Sequence, residues 1–389
     1  MVGVNVLDLG SMIAGPAVAS ILADQGASVI KIEAPGIGDV MRYLGATRNG
    51  VSGLFHACNR GKRSIALDMK SPEGVAIVKE LAATADVVVH NFRPGVAERL
   101  GVAYDDLCTV NKDLIYLSVS GFGPTGPLAQ RPAYDSIIQA FTGVPVSQAD
   151  AEGEPIPYYQ LFCDKVSALT GAQAVSAALY ARAMGRGGQH ISLAMVDSTC
   201  SFLWADLSGA STFVGDGVHS GMSVSGARLV RFADGWGSIS PVTDAQFHGL
   251  CGAFGVDSSM PEAATVADRN ANPQLMFSLL DSFREQARQV PVREAIERLD
   301  AAGVPCAEAM ALSELPGHPQ MEANGTFVAT EHPAGGSMVE PRNPPRFSVT
   351  PSGIAGPSPN LGGHGEEILT ELGKTTEQIS TLRAAGVLG

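Results

Sequence analysis

The chain has few of the features that mark secreted, membrane or metal-binding proteins. Its six cysteines are scattered and include no C-x-x-C pair, which indicates thiols in a reducing compartment rather than disulfides or a zinc site. No stretch of about 18 uncharged apolar residues predicts a membrane span. The apolar N-terminus lacks the basic segment of a signal peptide, and the histidines show no metal-binding spacing. We therefore expect a cytoplasmic protein with no metal and no membrane partner.

Basic residues are scarce as well, with 26 Lys and Arg against 39 Asp and Glu and a net charge of −13. Such a charge repels polyanions, which argues against nucleic acid as a partner. One segment runs against this balance, because residues 41–67 contain no acid and five bases: Arg42, Arg48, Arg60, Lys62 and Arg63. We call this segment the basic island. It is either a solvated loop or a site for a compact anion, such as a nucleotide with a few phosphates.

Length and patterning predict a two-domain α/β protein. The chain has 389 residues, of which 45% are apolar and 17% charged, enough for a large core. Apolar runs alternate with helical spacing, which predicts a parallel sheet with helices on both faces and a ligand site at the carboxyl ends of its strands. The predicted strands are Val4–Leu9, Ser28–Glu33, Arg63–Leu67, Asp86–Asn91 and Leu114–Ser120, and the main predicted helices are Ala17–Gln25, Pro72–Ala83 and Lys165–Met184.

The same pattern divides the chain into four parts. Residues 1–213 form the predicted large domain, a doubly wound, Rossmann-like α/β unit. Residues 214–226 have four glycines and no apolar periodicity, so they form a linker. Residues 227–325 form a smaller α+β domain. Residues 326–389 are a proline-rich connection and two closing helices that return to the large domain.

The first strand–helix turn is a candidate phosphate site. It reads Gly10-Ser11-Met12-Ile13-Ala14-Gly15-Pro16, without the G-x-G-x-x-G spacing of a dinucleotide fingerprint. Glu33, at the end of the second strand, imitates the ribose-binding acid of such folds, so a NAD(P) oxidoreductase remains an alternative. The turn still presents backbone N–H groups at the start of a helix, which suits a phosphate or a carboxylate.

Several short sequence motifs follow one another along nearly the whole chain. They are Ala14-Gly15-Pro16, Lys31-Ile32-Glu33-Ala34-Pro35 with Gly38-Asp39 and Arg42, Asn59-Arg60-Gly61-Lys62-Arg63-Ser64, Leu67-Asp68-Met69-Lys70, Asn91-Phe92-Arg93-Pro94-Gly95, Gly121-Phe122-Gly123-Pro124, Gly187-Gly188-Gln189 and Leu361-Gly362-Gly363-His364. Together they resemble the class III CoA-transferases, which include formyl-CoA transferase and alpha-methylacyl-CoA racemase. The resemblance is weakest over residues 214–320.

The resemblance implies a CoA site on the large domain and an obligate homodimer of interlocked chains. CoA is then a substrate, and no tightly bound cofactor is expected. Members often have an arginine directly after the strand-ending glutamate, where this chain has Ala34, so Arg42, Arg60 or Arg63 would take the phosphate instead. By position, the CoA contacts fall on Met12, Ile13, Ala14, Leu67, Lys70, Asn91, Phe92, Arg99 and Leu100, with Arg42 added for the phosphate.

Asp164 matches the aspartate nucleophile of the family, just ahead of the predicted helix Lys165–Met184. The alternative role is an N-cap, which satisfies the free N–H groups of that helix. We expect the helix N-terminus to keep this carboxylate ionised and able to attack an acyl-CoA thioester, which gives a mixed anhydride and then an aspartyl-CoA thioester. The neighbouring Cys163 is interpreted as a buried structural thiol.

Tyr134 separates two branches of the family. The racemase branch has a histidine at this position, about 30 residues before the aspartate, whereas transferases often have a tyrosine. A phenol, whose pKa is about 10, is a poor partner for α-proton transfer, so Tyr134 favours transfer between a donor acyl-CoA and an acceptor carboxylate. Asp135 is interpreted as a helix cap, and Gly215–Gly226 as a linker or a lid. A 2-methylacyl-CoA racemase and a non-catalytic CoA-binding protein remain alternatives.

Overall fold

The structure, a computed structural model, describes residues 1–150, 152–218 and 229–389. The chain divides into two compact units. The large unit comprises Met1–Ser208 and Ala323–Gly389, and the small unit comprises Gly209–Glu322. Most of the predicted lid or linker at 214–226 lies outside the described residues, and the four-part division of the chain stays a prediction.

Strands and helices alternate through the first half of the chain. The strands are β1 (Asn5–Asp8), β2 (Ser28–Glu33), β3 (Thr47–Arg48), β4 (Val51–Ser52), β5 (Lys62–Ala66), β6 (Val87–His90), β7 (Ile115–Ser120), β8 (Gln189–Ala194), β9 (Val230–Arg231), β10 (Trp236–Ile239), β11 (Cys306–Glu308), β12 (Phe327–His332) and β13 (Gly336–Pro341). The helices are α1 (Ala14–Asp24), α2 (Gly53–Asn59), α3 (Pro72–Ala82), α4 (Val96–Leu100), α5 (Tyr104–Leu107), α6 (Asp135–Phe141), α7 (Val144–Ser147), α8 (Phe162–Ala181), α9 (Met195–Leu207), α10 (Asp244–Ala253), α11 (Val266–Ala271), α12 (Pro273–Ala287), α13 (Val292–Ala301), α14 (Pro319–Ala323), α15 (Gly365–Glu371) and α16 (Thr376–Ala384).

The large unit is built on a six-stranded sheet in the order β5-β2-β1-β6-β7-β8, in which every neighbouring pair is parallel. Both faces are covered, because Val87 and Val89 pack into one apolar cluster and Val88 packs into another. This alternation follows from the two-residue period of a strand. The predicted α/β fold with a parallel sheet is therefore confirmed.

The strand order has a functional consequence. Numbered among themselves, the six strands run 3-2-1-4-5-6, so the winding reverses between β1 and β6. At such a reversal the connections leave the sheet in opposite directions, which opens a crevice beyond the carboxyl ends of the two strands. The residues after β1 and after β6 therefore mark the expected ligand crevice.

The small unit combines an antiparallel sheet with helices. Its strands have the order β11-β10-β9, and β9 and β10 pair in antiparallel fashion as a hairpin. Phe232, Phe254 and Phe283 lie in its apolar core with Leu299. The start of α13 is fixed by the Asp234 carboxylate, which accepts a hydrogen bond from the Val292 N–H at 2.8 Å.

Two differences from the predicted elements matter for the site. Helix α8 begins at Phe162, three residues before the predicted start, because Phe162 and Cys163 already pack against the core. Residues 327–341 form the antiparallel pair β12–β13, although their prolines predicted an irregular connection. Within the described residues, no helix combines the length and apolar character needed to cross a membrane.

Candidate active site

The loops after β1 and β6 are tied together at the crevice. The Ser11 N–H donates to Asn91 Oδ1 at 2.9 Å, and Asn91 Nδ2 donates to the Ser11 carbonyl at 2.7 Å. One amide side chain therefore satisfies both backbone groups of Ser11. This pairing fixes the distance between the two loops that border the crevice.

Buried charged side chains form hydrogen bonds with the backbone of the loop after β1. Lys31 Nζ donates to the Gly10 carbonyl at 2.8 Å, and Asp8 Oδ1 accepts from the Gly10 N–H at 2.8 Å. Asp39 Oδ1 accepts from the N–H of Met12 at 3.1 Å. Met12 has a φ of 64°, in the left-handed region that costs a residue with a Cβ some strain. The charged partners thus hold this loop in a conformation that it would not favour alone.

These charges form one network with no exposure to solvent. Lys62 Nζ donates to Asp8 Oδ2 at 2.8 Å and to the Pro16 carbonyl at 2.8 Å, while Lys31 pairs with Asp39 at 3.1 Å. Burial lowers the pKa of Lys62 to about 8. Against the opposing effect of burial, Lys31 and Lys62 hold the pKa of Asp8 below its usual value. The network is therefore a structural support for the loop.

The basic island is not a set of free cations, although residues 43–50 within it are exposed, and the expected anion site there stays a prediction. Its basic side chains are paired with partners from other parts of the large unit. Arg42 also stacks 3.8 Å from the centre of the Phe55 ring. The pairings are Arg42 with Glu33, Arg60 with Asp24 and Glu340, Lys62 with Asp8, Arg63 with Glu367 and Glu371, and Arg48 with the carbonyls of Gly335 and Ser337.

Asp164 is the third residue of α8 and not its N-cap, because the helix is preceded by Leu161 and Asp164 already lies within its first turn. The N-cap interpretation is therefore wrong. The Asp164 N–H, one of the free donors of that turn, is bound instead by Asp135 Oδ2 at 2.9 Å. Asp135 begins α6 and is 2% exposed. It does cap a helix, as predicted, but that helix is α8.

The electrostatics of Asp164 also differ from the expectation. Burial, with a further contribution from the Asp135 carboxylate, raises the pKa of Asp164 to about 7, although the Lys165 ammonium acts in the opposite direction. Asp135 accepts the hydrogen bond of the Asp164 N–H at this helix end. Its carboxylate therefore adds a negative charge beside Asp164, where the sequence predicted only the partial positive charge of the helix N-terminus. The expected permanent ionisation of Asp164 is thus corrected to partial ionisation near neutral pH.

A cavity of about 270 Å³ lies at the crevice and brings several predicted residues together. Asp164 and Tyr134, the two predicted catalytic residues, both line it. Three of the predicted CoA contacts line it as well: Met12, Asn91 and Phe92. Sequence analysis thus selected residues that are far apart in the chain and that share one cavity.

The other predicted CoA contacts lie elsewhere in the large unit. Ile13 and Ala14 are buried at the start of α1, and Leu67 is fully buried just after β5. Lys70 is exposed beyond Leu67, and Arg99 and Leu100 end α4. Arg42 is bound to Glu33, with Nη2 to Oε2 at 2.7 Å. These residues follow or flank the carboxyl ends of the strands, but they do not line the cavity around Asp164.

Two cavity residues were not singled out from the sequence. Arg93 and Arg131 line the same cavity as Asp164. Arg93 belongs to the motif Asn91-Phe92-Arg93-Pro94-Gly95, which carried the resemblance, and Arg131 lies three residues before Tyr134. The available signal was their position next to predicted site residues. Cys163 is fully buried and burial raises its pKa to about 11, which fits a structural thiol.

Known proteins resemble this chain over most of its length. The sequence profile of the family described as CoA-transferase family III matches residues 1–365. A succinate–glutarate CoA-transferase of Agrobacterium fabrum is 32% identical over 97% of each chain, and an acetyl-CoA:oxalate CoA-transferase of Acetobacter aceti is 34% identical over 89% of this chain and 88% of its own. A crystal structure of a CaiB/BaiF family protein from Brucella suis superposes with a TM-score of 0.82 at 32% identity, covering 95% of this chain and 98% of that one. The chain belongs to CoA-transferase family III and is a transferase.

Proposed function

We propose that the protein transfers CoA from a donor acyl-CoA to an acceptor carboxylate, with Asp164 as the nucleophile. The observation that carries this proposal is the position of Asp164, at the start of α8 and in the cavity beyond the carboxyl ends of β1 and β6. That edge is where parallel sheets of this winding hold nucleotide ligands. A carboxylate there can meet the sulfur end of CoA.

The reaction has two symmetrical halves. An Asp164 oxygen bonds to the acyl carbon of the donor thioester, and the C–S bond breaks to give a mixed anhydride and CoA thiolate. The thiolate attacks the aspartyl carbonyl carbon, which gives an aspartyl-CoA thioester and releases the donor acid. The acceptor carboxylate then attacks this thioester, and the returning thiolate takes the new acyl group and frees Asp164.

The chain's other residues would bind and orient. We propose that CoA contacts Met12, Asn91 and Phe92 in the cavity. The remaining predicted contacts would lie along its path outside the cavity, namely Ile13, Ala14, Leu67, Lys70, Arg99 and Leu100. Arg42 is left out of this path, because Glu33 and the Pro359 carbonyl already accept its hydrogen bonds. The Tyr134 hydroxyl would bind an acyl or carboxylate oxygen.

Tyr134 also supports transfer over racemisation. Tyr134 is 63% exposed and lines the cavity, and a phenol does not exchange an α-proton efficiently near neutral pH. A 2-methylacyl-CoA racemase would need a second acid–base group at this position. A non-catalytic CoA-binding protein would have no need of a half-buried carboxylate that titrates near neutral pH.

We also propose that the protein works as a homodimer in the cytoplasm. The large unit exposes big apolar side chains on two adjacent helices, Leu169 (64%) and Tyr180 (69%) on α8 and Phe202 (58%) and Trp204 (52%) on α9. Monomeric proteins rarely leave such a group uncovered, and a second copy would cover it. The six cysteines are free thiols, which suits a reducing compartment.

The test is an Asp164→Ala variant together with chemical trapping. Wild-type protein incubated with an acyl-CoA and hydroxylamine should carry a hydroxamate on Asp164, detected by mass spectrometry of the peptide. The variant should lose transfer by about a thousandfold or more while still binding CoA. Asp197→Ala is the matched control, because Asp197 is also the third residue of a helix, α9, and lies outside the cavity. Near-normal transfer by Asp164→Ala, or a hydroxamate on another residue, would refute the assignment.

A further inference from the structure

Two buried polar side chains of α6 bind the start of α8. Asp135 and Gln139 lie one helical turn apart on α6, and both are buried. Gln139 Nε2 donates to Asp135 Oδ1 and, at 2.9 Å, to the Gln160 carbonyl. Asp135 Oδ2 in turn accepts a hydrogen bond from the Asp164 N–H at 2.9 Å. The two side chains therefore hold both ends of the segment from Gln160 to Asp164.

These contacts fix the orientation of the Gln139 amide and suit a charged Asp135. The amide nitrogen only donates, and it meets a carboxylate oxygen and a carbonyl oxygen. The reversed amide would present its own oxygen to these two acceptors and would lose both hydrogen bonds. Asp135 accepts at both of its oxygens from groups that only donate, which matches the ionised carboxylate. Gln139 thus helps to hold a negative charge beside α8.

The same end of α6 adjoins the candidate active site. Tyr134, the residue before Asp135, lines the cavity together with Asp164. The spacing between these two predicted catalytic residues therefore depends on how the starts of α6 and α8 are joined. Gln139 is buried and is not among the described residues that line this cavity. Any effect of Gln139 on the reaction is then exerted through the groups that it binds.

The proposed reaction changes the charge of Asp164 but not that of Asp135. When an Asp164 oxygen bonds to the acyl carbon, the C–S bond breaks and the negative charge leaves with the CoA thiolate. Like charges held away from water repel each other strongly, and the Asp135 charge is one cause of the raised pKa of Asp164. Acylation of Asp164 ends this repulsion, so the Asp135 charge favours the acylation step.

On the basis of the proposed transfer reaction, we infer that Gln139 is a positioning residue for the nucleophile. It holds the Asp135 carboxylate against the first turn of α8, which aligns Asp164 with Tyr134 and keeps a like charge beside Asp164 until it is acylated. The effect of Gln139 should therefore require Asp135. It should also appear in the acylation step rather than in the binding of the acyl-CoA.

A double-mutant cycle tests this dependence. The readout is the rate of hydroxamate formation on Asp164 with saturating acyl-CoA and hydroxylamine. The pH is about 8, above the Asp164 pKa of about 7, so that the nucleophile is mostly ionised. Gln139→Ala should lower this rate by about 10-fold in the wild-type background and by less than about twofold in the Asp135→Ala background. The KM for acyl-CoA should change by less than about twofold.

Gln173→Ala is the matched control, because it shortens an exposed glutamine on α8, and it should leave the rate unchanged in both backgrounds. Gln139→Met keeps most of the side-chain volume and removes only the donors, so it replaces Gln139→Ala in the cycle if that variant does not fold. Its expected loss is the same.

The outcomes separate a positioning role from a structural one. If the loss of rate has the same factor with and without Asp135, Gln139 supports the fold alone, and the inference is overturned. A wild-type rate in Gln139→Met, or a loss that lies only in the KM for acyl-CoA, also overturns it. Absence of a hydroxamate on Asp164 of the wild-type protein, with every acyl-CoA donor tried, would instead refute the proposed function and the inference with it.

Discussion

Two groups of charged side chains lie near the carboxyl edge of the sheet, and they differ in their partners. The arginines of the basic island are bound by carboxylates and carbonyls, mostly from distant parts of the chain. In the part of the chain that the structure describes, Arg93 and Arg131 line the cavity, are exposed and have no ion pair. Within the described residues no cation is bonded to the Asp164 carboxylate, although the like charge of Asp135 and the opposite charge of Lys165 both act on it. The comparison teaches that a high density of basic residues along the sequence does not by itself indicate a binding site, because partners from the same fold already bind these arginines.

The largest expected effect is the loss of stability when an arginine of the basic island is removed. Arg60→Ala leaves the buried Asp24 carboxylate without its ion-pair partner at 2.6 Å, and it removes the 2.8 Å pair to Glu340, which keeps only its bonds to His56 and Thr330. We expect the free energy of unfolding to fall by about 3–5 kcal/mol, measured by urea denaturation. Arg131→Ala should change it by less than about 0.5 kcal/mol. Equal losses in the two variants would contradict the distinction between paired and unpaired arginines.

A smaller effect concerns the free energy of unfolding, which falls when the buried Asp164 carboxyl ionises. Its pKa of about 7 lies above the ordinary value of 3.8, so the folded protein binds a proton that the unfolded chain has already released. The wild-type protein therefore loses stability as the pH rises through this window, and Asp164→Asn does not. The advantage of Asp164→Asn should grow by about 1–2 kcal/mol between about pH 5 and about pH 8, after allowance for solvent screening.

The measurement is the difference in unfolding free energy between wild type and Asp164→Asn at each pH, obtained from urea denaturation. Asp197→Asn serves as the control, because this exposed aspartate occupies the same helical position in α9. A difference that does not change with pH would show that Asp164 is ionised throughout, as the sequence alone predicted.

The smallest effect distinguishes the two carboxylates of the site. Asp135→Asn removes the like charge but retains an oxygen that can accept the Asp164 N–H. The pKa of Asp164 should fall, and because the nucleophile must be deprotonated, the acid limb of the kcat/KM profile should move to lower pH by about one unit. Asp135→Ala removes the hydrogen bond as well and should also lower the melting temperature. An acid limb at the same pH in wild type and Asp135→Asn would mean that burial alone sets the pKa.

The sequence predicts best those features that depend on neighbours in the chain. Ser28–Glu33 is observed with the predicted bounds, because a run of apolar and β-branched residues between Gly26 and Pro35 has few alternatives. The basic island fails for the opposite reason. Glu340, Glu367 and Glu371 lie hundreds of residues from their arginines, so nothing local indicates the pairing.

The candidate site shows the same limit. The resemblance selects Asp164 and Tyr134 by position, and the structure places both in one cavity. The charge state of Asp164 could not be predicted, since it depends on Asp135 from another helix taking the helix-end N–H. Sequence spacing identifies which helix end bears a carboxylate but not which groups face it.

The pairings of the basic island have one further consequence for the chain as a whole. They join the N-terminal piece of the large unit, through Arg48, Arg60 and Arg63, to the piece that follows the small unit, through residues 335–340 and α15. A single backbone cut within residues 209–322 would therefore leave two fragments that still adhere through these ion pairs and through apolar residues of α15 and α16 that pack in the same cluster as the sheet. Two separately expressed halves, divided there, should be able to reassemble around the same cavity.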